Sequence, residues 1–267
     1  MQTKSTGVLF LVRKSCFLGC LGILGLWVSL AFTPAMARER VLLDAAWRFQ
    51  LGDPADVTTN VTVYQEISDL AKLQDPTQEG TLQATRPDPI ATHVGEGVSY
   101  VLTNYNDSAW RALDLPHDWV VELPFTSSGD VGHGSKATSG NTIGWYRRTF
   151  TLPSDDAGKT MWLEFDGIYR NALIWLNGHC VGRDVSGYAP IHFDVTPYVN
   201  VGGTNVLVVR VDATRTEGWF YEGAGIYRHV WLEKTDPVHV AHWGTYVATT
   251  SLAGSNATIT IQTTVTN

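Results

Sequence analysis

Alternation with a period of two residues runs through most of this chain. Met161, Leu163 and Phe165 alternate with Trp162, Glu164 and Asp166, and Leu207, Val209 and Val211 alternate with Val208, Arg210 and Asp212. Successive side chains of an extended strand point to opposite faces, so this pattern predicts half-buried strands with one face in a core. Similar runs lie at Leu43 to Leu51, Trp110 to Leu115, Trp145 to Leu152, Ala172 to Leu176, Ile191 to Val195 and His229 to Glu233. Turn chemistry punctuates them: Asn177-Gly178, Ser186-Gly187, Gly202-Gly203 and Pro153-Ser154-Asp155-Asp156. Without amphipathic helical stretches between the runs, the expected class is all-β, an antiparallel β-sandwich or jelly roll.

Two regions break the rhythm. The polar stretch between Gly52 and Tyr105 reads as a surface insertion, near residues 53–105, with a short helix at Ile67 to Leu73 and loop signals at Arg86-Pro87-Asp88-Pro89. Between Glu122 and Thr142 lies a Gly/Ser/Thr-rich loop, the kind of segment on which a rigid β scaffold carries its binding groups. A domain boundary falls at Asp236-Pro237. Val238 to Thr249 and Asn256 to Val265 then read as two strands, and two strands cannot bury a core of their own. The expected organisation is a sandwich over 38–236 and, over 237–267, the start of a second β domain.

The first 37 residues stand apart. Lys4, Arg13 and Lys14 precede an apolar run from Cys16 to Phe32 that ends at Ala35-Met36-Ala37. This is the pattern of a secretory signal cleaved after Ala37, and the mature protein is expected to be secreted or periplasmic with no membrane attachment after cleavage; an uncleaved membrane anchor is the alternative, the apolar run being close to the length of a spanning helix. The remaining chain of about 230 residues is too short to hold a sandwich and also a (β/α)₈ barrel of about 250 residues. Cys16 and Cys20 leave with the signal, so Cys180 has no partner for a disulfide and is expected to be an inert strand residue. The formal charge of −7 becomes more negative when the signal's basic residues are lost, which argues against nucleic acid and anionic membranes as partners.

Motifs for chemistry are sparse. Gly134-Ser135-Lys136 has the wrong order for a phosphate loop, the histidines form no H-E-x-x-H metal motif, and no G-x-S-x-G elbow is present. No metal, cofactor or catalytic residue is expected. Aromatic density beside small and polar residues does stand out, in Asn141-Thr142-Ile143-Gly144-Trp145-Tyr146 and in Glu217-Gly218-Trp219-Phe220-Tyr221-Glu222-Gly223. Sugars are recognised by aromatic faces against their C–H patches and by amides and carboxylates directed at their hydroxyls. Tyr146 and Tyr227 fit core positions, whereas Trp219 and Phe220 suit either a core or a sugar face.

An ordered set of motifs carries a family resemblance. Leu115-Pro116-His117-Asp118-Trp119, Gly144-Trp145-Tyr146-Arg147-Arg148-Thr149-Phe150, Phe165-Asp166-Gly167, Trp175-Leu176-Asn177-Gly178, Gly187-Tyr188 and Gly223-Ala224-Gly225-Ile226-Tyr227-Arg228 follow one another along the chain. Together they resemble the N-terminal sugar-binding domain of glycoside hydrolase family 2, the family of β-galactosidases and β-glucuronidases, over about Leu42 to Glu233. The sequence from Val238 onward is similar to the start of that family's immunoglobulin-like domain.

The resemblance implies a galactose-binding-like jelly roll followed by an incomplete immunoglobulin-like sandwich. It implies that Asn141 reaches the sugar from the position just before the Gly-x-Tyr strand. The family's carboxylate six residues before the Gly of Gly-Ile-aromatic-Arg is replaced here by Trp219, leaving Glu217 or Glu222 as neighbouring candidates. Substrate-binding candidates are therefore Asn141, Trp219, Glu217 and Glu222. The acid/base and nucleophile glutamates belong to a catalytic barrel, and no stretch here resembles them. The implied protein is a retaining, β-galactosidase-like enzyme whose N-terminal piece orients a carbohydrate at the barrel and is inactive alone. A free-standing carbohydrate-binding module and a structural β domain are the alternatives.

Overall fold

The computed structural model describes residues 38–57, 94–130, 133–138, 140–216 and 220–267. The expected signal and the short helix at Ile67 to Leu73 lie outside these residues. Two compact units are present: Arg40–Lys234, and a second made of the described residues up to Glu39 together with Thr235–Asn267.

The first unit is a β-sandwich. One sheet joins β1 (Glu39–Leu42), β11 (Val230–Thr235), β6 (Thr160–Phe165) and β9 (Ile191–Asp194), in that order. The other runs β3 (Arg111–Leu113), β2 (Trp47–Leu51), β5 (Ile143–Thr151), β10 (Thr204–Asp212), β7 (Ala172–Leu176) and β8 (His179–Asp184). The central pairings are antiparallel, with Val209 opposite Tyr146 on one side and opposite Ile174 on the other. Met161, Leu163 and Phe165 meet Tyr146, Ile174, Leu207 and Val209 in one buried cluster, so the alternating residues of both sheets close the core between them. Cys180 lies fully buried on β8.

The outer face of the six-stranded sheet departs from the half-buried expectation. Trp145, Leu173, Trp175, Val206 and Val208 form a second buried cluster with Val94, Val98, Val101 and Trp110. The segment leading into β3 covers this face, and β10 is consequently buried on both sides, Arg210 included at 1% exposure. Arg210 makes two 2.7 Å hydrogen bonds to Asp53, and Trp145 donates to the same carboxylate at 2.8 Å. Arg147 bonds Asp107 at 3.0 Å. A buried guanidinium is tolerable only with such partners; Asp53 comes from the start of the stretch read as insertion, and Asp107 lies just past its end.

The Gly/Ser/Thr-rich stretch contains a strand that periodicity did not reveal, β4 (Phe125–Asp130), bridged to Lys136 through Phe125. Just before it, α1 (Trp119–Glu122) is a single helical turn.

In the second unit, β12 (His239–Ala253) and β13 (Asn256–Thr266) form a long antiparallel hairpin. Trp243, Tyr246, Leu252, Ile259 and Ile261 are all exposed on it.

Candidate functional site

Three segments converge at one end of the sandwich. The His117-Asp118-Trp119 segment pairs with the segment ahead of β11: His117 N donates to Ile226 O at 2.8 Å, and Trp119 N to Ala224 O at 3.1 Å. On its other side, Gly225 exchanges hydrogen bonds with Tyr169, at 2.9 and 2.7 Å. Gly225 sits at φ +131°, where a Cβ would collide with His117 O and the Tyr146 hydroxyl, so only glycine fits between the flanking strands.

Asp118 caps α1. Its Oδ1 accepts from Val120 N at 3.0 Å, satisfying one of the turn's free N–H groups, and also from Ala224 N at 3.0 Å. Its Oδ2 accepts from the Tyr221 hydroxyl at 2.7 Å. Gly223, at φ +69°, passes against the same carboxylate so closely that a Cβ would overlap it. Burial and then the Asp118 hydrogen bond push the Tyr221 phenol well above its ordinary value, so it stays a donor. Its ring remains 46% exposed, beside the equally open Phe220.

Asn141 occupies the turn that enters β5. Its N–H donates to Thr138 O at 2.7 Å, and its carbonyl accepts from the Trp119 indole at 2.8 Å. The side chain is much less committed: Nδ2 makes one long 3.5 Å contact to Ala137 O, and among the described residues Oδ1 accepts no hydrogen bond. Thr142 ties the turn to the end of β10, through Ala213 N at 2.9 Å and the Thr214 hydroxyl at 2.9 Å. The backbone of Asn141 is thus fixed while its half-buried amide remains available.

The other candidates fare differently. Glu222 is buried, at 8% exposure, next to Tyr169, whose phenol is pushed well up by burial first and by this carboxylate second. Glu217 and Trp219 lie outside the described residues. Tyr146 is a core residue as expected, its hydroxyl 2.8 Å from His117 Nδ1. Tyr227 donates to Gly187 O at 2.7 Å.

Sequence reasoning gave no role to Asp118 or Tyr221. The signal available for Asp118 was its place before Trp119-Val120-Val121-Glu122, where an aspartate caps a helical turn. Nothing local links Tyr221 to a carboxylate more than a hundred residues earlier.

Residues 104–236 match the family described as "Glycosyl hydrolases family 2, sugar binding domain". A β-galactosidase of Bacteroides ovatus, BoGH2A, is 44% identical over 66% of this chain and 21% of its own length. A putative β-glucuronidase of Formosa agariphila is 35% identical over 59% of this chain and 15% of its own. Among solved structures, a family 2 glycosyl hydrolase from Bacteroides cellulosilyticus superposes with a TM-score of 0.64 at 31% identity, covering 85% of this chain and 24% of that one. The chain belongs to glycosyl hydrolase family 2, and its sandwich is that family's sugar-binding domain. It spans 15–21% of the length of these two curated relatives.

Proposed function

We propose that this chain is the N-terminal sugar-binding portion of a secreted or periplasmic, retaining family 2 glycosidase acting on β-galactosides, with Asn141 contacting the sugar. The observation that carries this reading is Asn141 itself. Its backbone is locked by Thr138 and Trp119, while its amide has only the long Ala137 contact and is placed to exchange hydrogen bonds with hydroxyls. The choice of galactoside is supported by the β-galactosidase relative at 44% identity. Export is supported by the basic, apolar and small-residue order of the first 37 residues.

In this reading the bond chemistry belongs to two carboxyl groups of a catalytic domain, one protonating the leaving oxygen and the other forming the glycosyl intermediate. The sandwich supplies position. It holds one wall of the sugar pocket rigid, so that the hydroxyls meet the reacting centre in a fixed orientation. The test is a titration of the chain with a methyl β-galactoside followed by Trp fluorescence. The expected result is a saturable change lost in Asn141→Ala. An unsaturable response, or one that Asn141→Ala leaves intact, overturns the assignment in favour of a scaffold domain.

A further inference from the structure

We propose that Asp118 is a positioning residue that couples the two sugar-facing segments, 140–142 and 220–226, so that neither can move without the other. The functional half of this inference rests on the sugar-binding reading above; the mechanical half rests on geometry alone.

The coupling runs through one carboxylate. Oδ2 holds the Tyr221 hydroxyl and Oδ1 holds Ala224 N, which fixes the 220–226 segment at two points on either side of Gly223. The same Oδ1 caps α1 through Val120 N. That cap sets the direction in which the next residue, Trp119, leaves the backbone. The fully buried Trp119 ring reaches across to donate its indole N–H to Asn141 O. The path from Tyr221 to Asn141 is therefore hydroxyl, carboxylate, capped turn, indole and carbonyl, each step a hydrogen bond or a fixed covalent link.

Packing leaves little slack. Gly223 lies against the Asp118 carboxylate, and Gly144, two residues past the Asn141 turn, would place a Cβ 2.8 Å from the Trp119 ring. On the far side of Tyr221, Gly134 would place a Cβ 2.9 Å from the phenol ring, so the β4 loop backs it. A carboxylate accepting three hydrogen bonds at once is a stronger clamp than three separate neutral pairs. A ligand that pulls on the Asn141 amide would thereby order Tyr221, and a ligand that stacks on Tyr221 would order Asn141.

The experiment is hydrogen exchange on the full chain, with Asp118→Ala and the milder Tyr221→Phe, read beside methyl β-galactoside affinity. Asp118→Ala is expected to speed exchange about tenfold in both 140–142 and 220–226 while β5 and β10 keep their protection. Tyr221→Phe removes only the hydroxyl held by Asp118 and keeps the ring; it is expected to loosen 220–226 and to shift the Trp119 indole N–H resonance. Affinity should fall in Asp118→Ala and recover in part in Asp118→Asn.

Loosening of one segment alone, or an unmoved Trp119 indole in Tyr221→Phe, overturns the coupling. Unchanged galactoside affinity in Asp118→Ala overturns the positioning role. If the unaltered chain binds no galactoside, the proposed function fails, and the exchange data still decide the coupling.

Discussion

The two faces of the six-stranded sheet are buried by different means. The inner face, with Tyr146, Ile174, Leu207 and Val209, shares one apolar cluster with Met161, Leu163 and Phe165 of the opposite sheet. The outer face mixes Trp145, Trp175 and Val208 with two buried arginines, each paired to an aspartate from the part of the chain before β3. Apolar contact is non-directional and tolerates repacking, whereas a buried ion pair stabilises only while both partners are in place. The inner face makes the sandwich; the outer face clamps the covering segment onto it.

The largest expected effect follows from breaking that clamp. Arg210→Ala leaves Asp53 without its charge partner and should cost about 3–5 kcal/mol in urea unfolding. Exchanging the pair together, as Arg210→Met with Asp53→Asn, should recover most of the loss. A smaller loss is expected on the inner face, where Val209→Ala removes two methyl groups and should cost about 2 kcal/mol. If the two variants were equal in effect, the proposed difference between the faces would not hold.

A subtler test uses acid. Burial pushes the His117 imidazole below its ordinary value, against the opposing pull of Glu122, so the folded protein keeps it neutral while the unfolded chain takes up a proton. The unfolded state then binds more protons, and stability falls as pH drops through about 6.5, levelling only below the depressed folded value. His117→Gln should flatten that part of the stability profile, as measured by thermal melts between pH 8 and pH 5. The smallest effect is expected at the exposed Trp243 of β12, where Trp243→Ser should change stability by about 0.5 kcal/mol or less.

How much of this was legible in the sequence follows the same division. The strands β5, β6, β7, β9, β10 and β11 stand out as short runs rich in apolar residues, and the turn residues between them mark their ends. The burial of Arg210 does not, because alternation identifies one buried face and says nothing about what covers the other. Asp53 is 157 residues away, and no local pattern announces the pair. Strand β4 was hidden for a related reason: Thr126, Ser127, Ser128 and Gly129 carry no apolar period, and the strand is held by pairing with Ser135 and Lys136.

Asn141 was singled out only through the family resemblance, by its place before the Gly-Trp-Tyr strand, and the structure adds that its side chain makes one long contact to Ala137 O. Asp118 was visible only as part of a motif. Its role depends on Tyr221 and Ala224, which the fold alone brings to it.

The central claim is that Asn141 is the sugar contact of this domain. The direct measurement is the side-chain amide resonance of Asn141 in ¹⁵N-labelled protein during titration with methyl β-galactoside. A saturable shift of that resonance, following the same binding curve as the Trp119 indole N–H, is the predicted result. Saturable shifts elsewhere in the sandwich with the Asn141 amide unmoved would contradict it.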